Sequence, residues 1–212
     1  VAISGATGSS YTLTQSEVGT AVSVVVSYTD GQGTAESVTS SATASVQNVN
    51  DAPVGFTVSL SGSAQEDATL SASASVTSDL DGLPSPLVFG YQWQRFEGGS
   101  WTDISGATGS SYTLGDGDVG LSVRSVASYT DGQGTAESAA SSGSASVQNV
   151  NDAPTGSVLV SGTASEGEVL SADTSGLGDA DGLGAFSYQW RSDSVAISGA
   201  TGSSYTLTQS EV

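Results

Sequence analysis

Cysteine, histidine, lysine and methionine are all missing from this 212-residue chain, and its whole basic complement is three arginines. Without Cys there is no disulfide framework and no zinc–thiolate site, and cysteine usage assigns no compartment. Without His, Cys or Lys, most nucleophiles and bases that work near neutral pH are gone, so catalysis is not expected. A carboxylate pair remains as a glycosidase-type dyad. Yet the acids fall in Asp-Gly turns, not in an apolar cleft that would raise one pKa. No run approaches the ~18 apolar residues of a spanning helix, and no signal peptide is visible. Against the three arginines stand 22 acidic residues, a net charge of −19. That charge argues against nucleic acid, anionic membrane and membrane insertion. It opposes folding by self-repulsion and points to a cationic partner, of which a divalent metal is the simplest.

What is present is repetition. QNVNDAP occurs at 47–53 and 148–154, an interval of 101 residues (148 − 47). SYTDGQGTAES occurs at 27–37 and 128–138, and ISGATGSSYTL at 3–13, 104–114 and 197–207. Tyr-Gln-Trp occurs at 91–93 and 188–190. Units of roughly 100 residues are small domains rather than solenoid repeats. The expected organisation is the back part of a unit at 1–51, a complete unit at 52–152 and the front part of the next at 153–212. Residues 195–212 repeat residues 1–18, as expected of a window on a longer periodic molecule.

Within 52–152, short segments of alternating polarity are separated by Gly, Ser and Asp turns, and no 3.6-residue apolar period appears. Strands are expected at 55–60, 69–76, 88–96, 101–104, 111–114, 121–129 and 135–147, the last with a bend. Phe89, Tyr91 and Trp93 share one face of the third; Leu121, Val123, Ala127 and Tyr129 share one face of the sixth. Seven strands with a Trp on the third suggest an immunoglobulin-like sandwich. The fold expected is all-β: tandem Ig-like Greek-key β-sandwich domains joined by short linkers. The Cys pair of antibody domains is absent. Ser122 stands where the Tyr of an Ig-type turn would follow LGDGDVG.

In such a sandwich the loops after the second and sixth strands lie at the pole where the chain arrives. Asp79 and Asp81 (SDLDGL) and Asp131 (TDGQG) therefore converge there with the linker residues Asn48, Asn50 and Asp51. The opposite pole gathers Glu66 and Asp67, then Asp116 and Asp118. There they meet the second linker's Asn149, Asn151 and Asp152 and the next unit's Asp179 and Asp181. Crowded carboxylates repel unless a cation sits among them. Oxygen ligands without His or Cys suit Ca²⁺, which accepts 6–8 oxygens in flexible geometry. On this reading the heptad is a metal-clamped hinge, and Pro53 stiffens the approach to the first strand. Asp-Gly and Asn-Asp are also ordinary turn formers. DxDG here does not fit an EF-hand, and GDGDVG stands alone rather than in a glycine-rich calcium array.

QNVNDAP resembles the calcium-binding interdomain linker of cadherins. Together with DxDG, TDGxG, NDAPTGSV, SYQW and SGATGSSYTLTQSEVG, it resembles the cadherin-like and Ig-like tandem repeats of giant bacterial RTX adhesins and biofilm proteins. The resemblance covers nearly the whole chain. It implies a secreted repeat at the bacterial cell surface that binds Ca²⁺ at domain junctions and extends a ligand-binding tip. Residue by residue, it gives Glu66 the part of the lower-domain acid, Asn149, Asn151 and Asp152 that of the linker, and Asp179 and Asp181 that of the upper-domain pair. Asn48, Asn50, Asp51, Asp79, Asp81 and Asp131 take the matching parts at the first junction. Gln47 or Asn48 replaces the Asp that opens the cadherin motif, and Ala52 replaces an Asn.

The function expected is a calcium-rigidified extender. Its partners are the neighbouring repeats of the array, or head-to-tail copies of the same chain in a filament whose half-units complete each other. A carbohydrate-binding module, with Phe96, Trp101 and Tyr112 as a stacking platform, is the competing reading. It is set against a structural role in which Trp93 is core and Trp101 packs on a sheet edge.

Overall fold

The computed structural model describes residues 1–211. Strands β1 (Val25–Thr29) and β2 (Ala35–Thr39) form a hairpin near the N-terminal side. The central unit carries β3 (Thr57–Ser61), β4 (Thr69–Ser75), β5 (Gly90–Glu97), β6 (Ser100–Asp103), β7 (Ser111–Thr113), β8 (Val123–Thr130) and β9 (Ala136–Ala140). β10 (Leu159–Ser161), β11 (Val169–Asp173), β12 (Arg191–Ser192), β13 (Val195–Ala196) and β14 (Ser204–Thr206) follow. All pairings between these strands are antiparallel, and no α-helix occurs among the described residues. The chain is all-β.

The central unit is a sandwich of two sheets, ordered β3-β4-β7 and β6-β5-β8-β9. Its inner faces follow the two-residue alternation read from the sequence. Along β8, Val123, Ser125, Ala127 and Tyr129 point inward and are buried, while Arg124, Val126 and Ser128 are not. Trp93 is fully buried among Leu70, Ala72, Ile104, Leu114, Val123 and Val147. Its indole N–H donates to Gly109 O at 2.9 Å, and its ring packs on Tyr112 at 5.7 Å. Each such large apolar side chain contributes roughly 1.5–3 kcal/mol on burial. Trp101 lies on β6 against Phe96, with the Arg124 guanidinium 4.4 Å from its ring centroid, so cation–π packing occupies its face.

The β8–β9 turn is built by Asp131, whose Oδ1 accepts from Gln133 N and Thr135 N. Asp30 does the same for Gln32 N and Thr34 N in the first copy. Gly33 and Gly134, at φ +89° and +93°, take the left-handed position these turns need. The expected long last strand stops at Ala140. Beyond it the Ser141 and Ser144 hydroxyls accept from Ser125 N and Val123 N, replacing ladder carbonyls, so the segment runs beside β8 without regular pairing. It rejoins at Val147 through a parallel bridge to Val119.

Candidate metal centres

Two groups of carboxylates sit at opposite ends of the central unit, joined by the length of β4. At the leading pole the loop after β4 and the β8–β9 turn are pinned together, Gly132 N donating to Gly82 O at 2.8 Å. The approach is close: a Cβ on Gly132 would lie 2.6 Å from Asp81 O. Oxygens of Asp79, Asp81 and Asp131 come within 4.8 Å of one another. Tyr129, packed edge-on against Phe56, fixes Asp79 through a 2.6 Å bond from its hydroxyl to Oδ2. Burial, and then Asp79, push the Tyr129 hydroxyl's pKa well up, so it stays a donor. Asp81 accepts the amide of the linker residue Asp51 on Oδ2 at 2.6 Å. Asp81 and Asp131 are only 3% and 6% exposed, and Asp81 Oδ1 and Asp131 Oδ2 have no hydrogen-bond partner.

Two orphaned buried carboxylate oxygens are costly unless something positive meets them. The donor set here is all oxygen and anionic. It fits a hard divalent cation, with Asp79, Asp81 and Asp131 as its holders.

At the trailing pole Glu66 from the β3–β4 turn, Asp116 from a 3₁₀ turn (Asp116–Asp118) and Asp152 from the second linker come equally close. Glu66 grips that linker, accepting from Val150 N at 3.0 Å while its own N–H donates to Gln148 O. The next unit is tied on by Asp181, which accepts from Asp152 N at 2.7 Å and Asn149 Nδ2 at 2.6 Å. Burial raises the Asp152 pKa, followed by the charges of Asp116, Asp181, Asp67 and Asp179. The Val150 amide pulls Glu66 down. The neighbouring Asp116, burial and the charge of Asp152 outweigh it, leaving Glu66 raised. Asp181 is held low by the Asp152 amide and then by Asn149. This pole holds mutually repelling carboxylates.

The expected ligands divide. Asp79, Asp81 and Asp131 meet, as do Glu66 and Asp152, with Asp51 beside the first group and Asp179 and Asp181 beside the second. Of the four linker asparagines, three hydrogen-bond through Nδ2, Asn149 to Asp181 among them, and one through Oδ1. Asn48 Oδ1 accepts from Gln15, Asn50 donates to Glu137, and Asn151 donates to its neighbour's carbonyl, Asp152 O. Asp118 turns inward: it is buried, takes the Tyr112 hydroxyl at 2.7 Å and lies 3.5 Å from Arg95 Nε. Burial, then Asp118, push the Tyr112 pKa up to about 12. Asp116 is the addition to the expected ligands. Its signal was a departure between copies, GDGDVG at 115–120 where the first copy has TQSEVG at 14–19.

Searches of protein-family models, curated proteins and solved structures find no match to this chain.

Proposed function

We propose that this chain is a structural extender whose domain junctions are stiffened by bound Ca²⁺. The observation that carries the reading is the pair of orphaned buried oxygens, Asp81 Oδ1 and Asp131 Oδ2, beside the linker residue Asp51. Asp51 already hangs on the same Asp81 carboxylate by its amide. A divalent cation held by Asp79, Asp81 and Asp131 offsets two of their three negative charges and fixes the carboxylate that anchors the linker. At the other junction, Glu66 holds the linker from below and Asp181 from above. A second ion beside Glu66, Asp116 and Asp152 reduces the repulsion that otherwise favours swivelling. With no His, Cys or Lys, the chain is read as non-enzymatic. Arg124 over the Trp101 ring and Phe96 tilted against it support the reading of Trp101 as sheet-edge packing rather than as a sugar platform. Millimolar calcium outside cells matches the extracellular bacterial-surface setting the sequence suggests.

Calorimetric titration of the chain with Ca²⁺, paired with small-angle scattering in Ca²⁺ and in EDTA, tests this. Heat of binding and a longer maximum dimension in Ca²⁺ are expected. An unchanged dimension defeats the extender, and no uptake defeats the ion.

A further inference from the structure

One turn occurs three times in the chain, and its chemistry differs in the centre. The first copy reads Thr14-Gln15-Ser16-Glu17 and the last Thr208-Gln209-Ser210-Glu211, where the central copy reads Gly115-Asp116-Gly117-Asp118. All three make the same 3₁₀ turn. Thr14 and Gly115 enter it with the same extended backbone, at φ −126° and −134°. Each outer threonine restrains the amide two residues on: Ser16 N and Ser210 N donate to the Oγ1 of Thr14 and Thr208 at 3.3 Å. Gly115 has no hydroxyl to offer, and among the described residues no acceptor meets Gly117 N.

Three replacements thus act on one peptide bond. Thr to Gly removes the acceptor that holds the amide. Gln to Asp places a carboxyl carbon where that amide can close a five-membered ring on it, an intramolecular attack with the entropy of encounter already removed. Ser to Gly removes the Cβ that would crowd the closure and widens the conformations open to the backbone. Asp116 and Gly117 are both exposed. Their single turn is held by Asp118 N to Gly115 O and Val119 N to Asp116 O, so it opens locally without unfolding the sandwich.

The other four Asp-Gly pairs are restrained. Asp81 and Asp131 are buried, and Gly82 N and Gly132 N donate to Asp79 O and Gly82 O. Gly182 N donates to Asp179 O, while Asp181 is held by Asp152 N and Asn149 Nδ2. Asp30 Oδ1 is held by Gln32 N and Thr34 N.

We propose that Asp116–Gly117 is a site of spontaneous modification, where aspartate converts to isoaspartate through a cyclic imide. Gly117 N bonds to the Asp116 Cγ, and one carboxyl oxygen leaves as water with the amide hydrogen and a proton from solvent. Water then opens the ring. Cleaving nitrogen from Cγ restores aspartate; cleaving it from the former main-chain carbonyl gives isoaspartate. The net change is an isomerisation that needs no oxidant or co-reactant. It threads the main chain through the side-chain carbons and displaces a carboxylate that lies within 4.8 Å of those of Glu66 and Asp152. The inference does not rest on bound calcium.

The test is prolonged incubation of the chain in EDTA near neutral pH, followed by digestion with a protease that cuts before aspartate but not before isoaspartate. Mass spectrometry of the peptides then gives a rate for each Asp-Gly pair. Isoaspartate is expected to accumulate faster at 116 than at 30, 81, 131 or 181. Gly115→Thr rebuilds the outer copies' restraint and should slow the reaction at 116 about fivefold, the factor one ordinary hydrogen bond is worth. Gly117→Ser should slow it too. Both variants are accommodated. A Cβ at 115 meets nothing within 4 Å, and one at 117 meets only the tip of Arg95, at 3.0 Å from Nη1. Intrinsic tryptophan fluorescence confirms that each is folded. A rate at 116 no higher than at the other four pairs, or one that Gly115→Thr leaves unchanged, overturns the proposal.

Discussion

Asp131→Asn separates repulsion from coordination at the leading pole. The change is isosteric. Asn Oδ1 can keep the two amide bonds that build the turn. The Nδ2 group replaces the orphaned Oδ2 and faces Asp79 and Asp81 as a donor. Two unit charges 4.8 Å apart, the outer separation of this group, repel by about 3.5 kcal/mol at an effective dielectric of 20 and about 0.9 kcal/mol at that of water. Asp131 takes part in two such pairs, so removing its charge should stabilise the metal-free protein by about 1–3 kcal/mol after screening. For a domain of this size that is a rise in Tm on the order of 4–20 °C. In Ca²⁺ the order reverses: the parent gains RT ln(1 + [L]/Kd) from binding, and the variant, having lost a ligand, gains little. Thermal unfolding of both proteins in EDTA and in CaCl₂ reads all four values. A variant less stable than the parent in EDTA, or an equal response of both to Ca²⁺, would refute the reasoning.

Trp93→Ala should cost about 3–5 kcal/mol and strand the Gly109 carbonyl. Trp190→Ala, which loses the same kind of bond to Gly202 O from a half-open site, should cost well under half as much by urea denaturation. Gly132→Ala drives a Cβ against Asp81 O, so the two loops must part and Ca²⁺ affinity measured by calorimetry should fall at least ~10-fold. Glu66 and Asp152 have folded pKa values raised above their ordinary ones. Between those limits the folded state holds more protons than the unfolded. In EDTA their contribution therefore favours folding below the ordinary carboxylate range and is lost as pH rises through the folded values. Asp181, held low, contributes oppositely, its stabilisation disappearing only as pH falls through its folded value. Asp152→Asn should flatten the alkaline-going loss in a pH series of urea midpoints, and Ca²⁺ should abolish it in the parent.

Much of the central sandwich was legible because its period is two. Trp93, Val123, Ala127 and Tyr129 alternate with polar neighbours, and the Asp-Gly turns punctuate them. The seventh strand was read too long because serine hydroxyls at 141 and 144 substitute for ladder acceptors, an effect hydropathy does not register. The acidic poles were visible as loops that topology brings together. What composition did not show is that the linker asparagines use their amide nitrogens on carboxylates, Asn50 on Glu137 and Asn149 on Asp181. Asp118 looked like Asp116 in sequence. Only the 3₁₀ turn, which sends one outward and the other under Tyr112, distinguishes them.

The parallel bridges Val119↔Val147 and Gln65↔Gln148 lie where the chain leaves the central unit for its second linker. In the proposed extender, tension along the chain would load these two bridges lengthwise, so that both must slip together instead of opening one by one. Resistance to such a pull is governed by the rate of unfolding rather than by equilibrium stability. The exit from the central unit is thus braced against the unit's own turns.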